Sequence, residues 1–202
     1  MQCAKIRLSP QQIKLVTDAG WILTKNEILH HIKTAFGQLH HEQQELINYH
    51  ALPAEVLRQG GKISRGENYL GLPWIVLDYP RCFSRTHIFA IRTLFWWGRF
   101  FSTTLHLSGD WQQQHLPKLT RAFTELQDNN LSISYSGDEW VHDITSAAYT
   151  PLRKLTQTDF EKIVRESAFI KIAASAGIGD IENATEILMQ QFRFFLSIVS
   201  EK

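Results

Sequence analysis

Five arginines, Arg65, Arg81, Arg85, Arg92 and Arg99, fall within one stretch of chain that contains no lysine. Arginine tolerates partial burial, stacks on aromatic rings and forks onto a carboxylate or phosphate. Arg92 is the sharpest of the five. It stands in the middle of an apolar run, on the side of Ala90 and Leu94 when that run is extended. A buried guanidinium needs a partner. Asp78, near the end of the preceding apolar run, is one candidate, and a bound anion is the other.

The same stretch is rich in rings. Residues 69–111 hold eleven of the chain's aromatic side chains, four arginines and no glutamate. A ligand site built here has Arg92 as its anion contact and Arg81 or Arg85 at its rim. His106 and Tyr79 orient the ligand, and Trp74, Trp96 and Trp97 form the walls. The ligand class that fits is a small carboxylate or phosphate.

Other chemistries find less support. Cys82 lies among Arg81, Arg85 and His87, neighbours that lower a thiol pKa. Ile88 stands where a phosphatase-like cradle needs arginine, so a structural cysteine is the favoured reading. Ser102, Thr104 and His106 form a hydroxyl and imidazole row, but no orienting acid or oxyanion hole can be placed beside them. Five of the nine histidines lie between His30 and His50, at spacings that put no two in one helical metal site. Glu27-x-x-His30 is at best half of a di-iron pattern. Glu139-x-x-His142 repeats the letters in an expected strand, where the two side chains point to opposite faces. No metal is therefore expected, and no cofactor is named.

Nucleotide and hydrolase motifs are missing. With 21 basic and 20 acidic residues, the net charge of +1 exerts no general pull on nucleic acid or an anionic membrane. The competing class is an interaction protein that pairs with a second copy through the aromatic hairpin or through Phe194 and Leu196. Single-stranded nucleic acid binding and metal-dependent catalysis rank below both. Two cysteines, Cys3 and Cys82, make no disulfide framework, and the N-terminus carries no apolar signal region. Both features point to the cytoplasm.

Periodicity supplies the elements that must hold these residues. A short helix starts at Ser9-Pro10, and a second follows a Thr24/Glu27 capping box to about Asn48. Gly60, Gly61 and Gly66 mark a loop. Leu70–Tyr79 reads as a strand stopped by Pro80, and 86–108 as a hairpin around Gly98-Arg99. Asp110 opens a helix to about Gln127. Leu131–Tyr135 and Glu139–Thr145 read as short strands. A helix capped at Thr158 carries Phe160, Ile163, Val164 and Ile170 and stops near Gly177 and Gly179, and a last helix runs from Ile181 to Val199. The expected class is α+β, with a mostly antiparallel sheet of four to six strands in one domain. Residues 1–50 form a helical layer, 62–145 a sheet with one inserted helix, and 158–200 the C-terminal helices.

Overall fold

A computed structural model describes residues 5–200. Cys3 lies outside them. Ser9 caps the first helix, α1 (Pro10–Thr17), in a full capping box with Gln12. The long helix α2 (Ala19–Ile47) begins earlier than the Thr24 pattern suggests, because the Asp18 carboxylate accepts from the Trp21 N–H and caps it. Leu29, Ile32, Phe36, Leu39 and Ile47 form its buried stripe. One turn, α3 (Ala54–Leu57), follows.

Four strands then run as an antiparallel meander. They are β1 (Lys62–Tyr69), β2 (Leu72–Phe83), β3 (Ile88–Trp96) and β4 (Phe100–Ser108). Next come α4 (Asp110–Arg121), α5 (Phe123–Asp128), β5 (Ser132–Ser134) and β6 (Tyr149–Pro151). Helix α6 (Gln157–Glu166), strand β7 (Phe169–Gly177) and helix α7 (Ala184–Val199) close the chain. The sheet order is β1-β2-β3-β4-β7-β5-β6, every pair antiparallel. The fold is α+β, and its seven strands exceed the four to six expected.

The differences have local causes. β1 is polar and lies at the sheet edge, so it carries no alternating apolar signal. β7 was expected as helix; its two faces alternate as Ile170, Ile172, Ala174 and Ala176 against Phe169, Lys171, Ala173 and Ser175. Residues 139–145 form turns instead of a strand. Thr156 and Asp159 make the capping box of α6, in place of Thr158 and Glu161. β2 continues through Pro80, where the register shifts between Asp78 and Arg81.

One sheet face is covered by α2, α4 and α7. Ile75, Leu77, Phe89, Ile91, Leu105 and Leu107 fill that interface, with Phe192, Phe195 and Leu196 from α7. Leu196 is fully buried there and Phe194 packs against the same core. No helix among the described residues covers the other face. It is covered in part by the 135–148 segment, and the polar site lies under that cover. No helix among the described residues is long and apolar enough to cross a membrane.

Candidate functional site

Register decides which side chains share the uncovered face. Directly opposed residues of neighbouring strands lie on the same side. Lys62 opposes Asp78, Asp78 opposes Arg92, Arg92 opposes Thr104, and His106 opposes Lys171. The charge therefore falls in two adjacent rows of one face, Lys62, Asp78, Arg92 and Thr104 across four strands and, beside it, Arg81, Ala90, His106 and Lys171. Asp78 and Arg81 are three residues apart, so simple alternation would send them to opposite faces. The register shift between them returns Arg81 to the face of Asp78, opposite Ala90.

Arg92 makes a two-pronged bond to Asp78, Nε to Oδ1 at 2.6 Å and NH2 to Oδ2 at 3.0 Å. Of the two partners open to it, the internal carboxylate is the one present. Both side chains are mostly buried. The third prong, NH1, lies 3.1 Å from His142 Nε2. The other imidazole nitrogen, Nδ1, lies 3.3 Å from Lys171 Nζ. Lys171 Nζ also donates to the carbonyls of Glu139, at 2.9 Å, and Val141, at 2.5 Å. The 135–148 segment is thus tied to the sheet by a buried lysine. Tyr69 and Tyr149 hold it further. Tyr69 Oη accepts from the His142 and Asp143 N–H groups, and Tyr149 Oη donates to the Val141 carbonyl.

Burial and neighbouring cations keep this cluster short of protons. Desolvation first, then Lys171 and Arg92, push the His106 pKa down to about 3 and the His142 pKa, with His106 added, down to about 2. Desolvation and Arg92 lower Lys171 to about 7, against the pull of Asp138 and Glu139. Burial raises Tyr149 well above its ordinary value. His106 Nε2 lies 3.3 Å from a Glu139 carboxylate oxygen, but without the geometry of a hydrogen bond. As a neutral ring it forms no ion pair there.

A cavity of about 690 Å³ opens above the Asp78–Arg92 pair. Trp74, Tyr69, Phe83 and Trp140 supply its rings, and Lys62, Arg81, Arg92 and Asp78 its charges, with His142 at one side. Trp74 can lie flat on β1 because the residue beneath it is Gly66; a Cβ there would come within 2.6 Å of the indole. Arg81 is held by the carbonyls of Gly60 and Gln59. Among the described residues, neither Arg81 nor Lys62 forms an ion pair.

The structure brings together Trp74, Arg81 and Arg92 of the residues singled out from sequence. His106 lies on the same face, but deeper, under Trp140 and beside Phe169. Arg85 lines a neighbouring hollow of about 700 Å³ that shares Phe83 and Trp140 with the first. Trp96 is buried beneath Tyr69, donating to its carbonyl, and is no wall. Tyr79 and Trp97 belong to the helix-covered face, where Tyr79 meets His40 and Trp97 meets Phe95. The Cys82 thiol has its pKa raised by burial and by Glu55, the opposite of an activated thiolate.

Lys62, Tyr69, Trp140, His142 and Lys171 were not foreseen as site residues. For Lys171 a signal exists. It is a single charge inside the apolar run Phe169–Ala174, the same feature that marks Arg92. Glu139 and His142, expected in a strand, lie in turns instead, and the Glu139 carbonyl and the His142 ring both meet Lys171. Among the described residues no group of three or more His, Cys, Asp or Glu side chains gathers as metal ligands would.

Arg92 with Asp78, His142 and Lys171 is therefore a fixed polar base, and Arg81 and Lys62 are the free charges above it. Compared with family models, curated proteins and solved structures, the chain matches none.

Proposed function

We propose that the cavity over β1–β3 binds a small organic anion with a flat apolar body. The charge balance of the lining carries this reading. Lys62, Arg81 and Arg92 stand against the single carboxylate of Asp78, and Arg92 already matches it. Two positive charges are left facing an aromatic-walled space. The rings of Trp74, Phe83 and Trp140 suit the body of such a ligand. The Asp78–Arg92 pair and the His142 ring give it oriented polar contacts. Nothing in the reading requires a reaction.

Tryptophan fluorescence tests it, since Trp74 and Trp140 line the space. Benzoate and phenyl phosphate are titrated against benzamidine, which has a similar ring and the opposite charge. The anions are expected to give saturable changes that benzamidine does not. Substituting Arg81→Ala together with Lys62→Ala is expected to weaken benzoate at least tenfold, on the order of 1.4 kcal/mol. Equal response to benzamidine, or unaltered binding in the double variant, would sink the reading.

A second reading, self-association, rests on one separate observation. Ile6, Leu8, Ile13, Leu15, Val16, Trp21, Ile22 and Leu23 are all exposed, Ile6 at 91% and Val16 at 71%. α1 buries no residue. Such a concentration is a contact surface more often than a solvent face. Lys5, Arg7 and Lys14 precede Asp18 and Glu27 along this segment, and Lys25 between the two acids is taken up by Glu67, an order that an antiparallel second copy would match. On this reading the contact is the N-terminal arm, because the hairpin strands and Leu196 are buried within the chain.

A further inference from the structure

The contacts around His142 count its protons. Arginine only donates, so Arg92 NH1 at 3.1 Å makes Nε2 an acceptor. A neutral imidazole has one acceptor and one N–H, so the proton is on Nδ1. Nδ1–H points at Lys171 Nζ, 3.3 Å away. An ammonium has no lone pair to receive it. A neutral amine has one, plus two N–H groups, and it faces two carbonyls, those of Glu139 and Val141. The three contacts of Nζ fit a neutral lysine. The lowered proton affinity of this buried group, to about pH 7, agrees.

We propose that anion binding in the cavity is coupled to uptake of one proton by Lys171, relayed through His142. The inference rests on the ligand reading above. His142 lines the cavity, so an incoming carboxylate or phosphate oxygen reaches Nε2 where Arg92 NH1 now bonds. An anionic oxygen accepts, so Nε2 must then carry a proton. That proton comes from the acid form of the buffer, whose own bond to hydrogen breaks and whose conjugate base stays in solution. The Nδ1 proton passes to the Nζ lone pair, and Nδ1 accepts back from the new ammonium. One N–H bond forms at Nε2, one breaks at Nδ1 and one forms at Nζ. The buried negative charge is matched by one new positive charge, with no net change on the imidazole.

The groups facing Lys171 set the direction. Arg92 on β3 and His106 on β4 face it across the sheet, and His142, Asp138 and Glu139 face it from the covering segment. Tyr149 on β6 places its ring 5.8 Å from Nζ. His106 stays neutral, so the added anion raises the proton affinity of Lys171. Binding therefore takes up a proton above about pH 7, and affinity falls as pH rises.

The test is calorimetric titration of the full chain with benzoate at pH 8, in two buffers of different ionisation enthalpy. Uptake close to one proton per benzoate is expected, with the apparent Kd rising up to about tenfold per pH unit above neutrality. Lys171→Met is expected to bind with no proton uptake and a flat pH profile. ¹⁵N spectra of the histidines give a readout independent of that variant's folding. In the free protein the His142 proton is expected on Nδ1, and with benzoate on Nε2. Binding without proton uptake, or an Nε2–H tautomer in the free protein, overturns the coupling and leaves the ligand reading intact. Absence of any benzoate binding overturns both.

Discussion

Arg92 shows how one residue both supports and constrains the site. Its side chain is mostly buried, and Asp78 balances its charge with two parallel hydrogen bonds. Breaking such a pair from one side leaves a buried, uncompensated charge. Asp78→Ala is therefore expected to cost about 3–5 kcal/mol in urea unfolding. Replacing both partners, Asp78→Leu with Arg92→Met, is expected to cost far less, because no charge is left stranded. A double variant as unstable as the single one would mean that the pair contributes through something other than charge matching. Much of this was legible in the sequence. A lone charge in an apolar run announces a buried partner, and Asp78 was the nearest acid on a neighbouring strand. Lys171 obeys the same rule, but its run reads as helix, which hides the partner rows of a strand. His142 and Trp140 carry no sequence signal of their own. Their places are set by the turn geometry of residues 138–146, which propensity does not reveal.

At the scale of elements, the site depends on two irregularities in regular strands. The register shift in β2 puts Asp78 and Arg81 on one face, and Gly66 in β1 makes room for Trp74. Gly66→Val is thus expected to push the indole into the cavity. Benzoate binding should fall at least tenfold, while the melting temperature drops only a few degrees, since β1 is an edge strand with no fully buried residue. Unchanged binding would remove Trp74 from the wall. Neither device was visible beforehand. Gly66 reads as a loop because its strand is polar, and Pro80 reads as a strand end. The meander core of β2, β3 and β4 was legible, since strands apolar on both faces leave little choice. β7 was not. Its alanines favour helix in isolation, and only the pairing with β4 makes it a strand.

The whole molecule divides into a sheet with one helix-covered face and an arm that touches little of it. Buried side chains begin with Leu29 in α2; before that, none is buried among the described residues. Lys25 pairs with Glu67 on β1, which ties the arm to the sheet edge just before the buried stripe starts. Stability and association should therefore separate in this chain. Stability resides in the two-faced strands β3 and β4 and the helices packed over them, so removing residues 1–17 is expected to leave the melting temperature within about 2 °C. Association, if the arm is the contact, goes with the exposed apolar residues that are deleted. Light scattering is expected to give twice the chain mass for the full protein and a single chain for the truncated form. Leu23→Glu in the full chain is a finer version, since Leu23 is 64% exposed and its replacement is expected to leave the fold intact. A full-length monomer at high concentration would leave the arm without a partner copy. A truncated form that unfolds early would show instead that α1 supports α2, and the division between stable body and contact arm would fail.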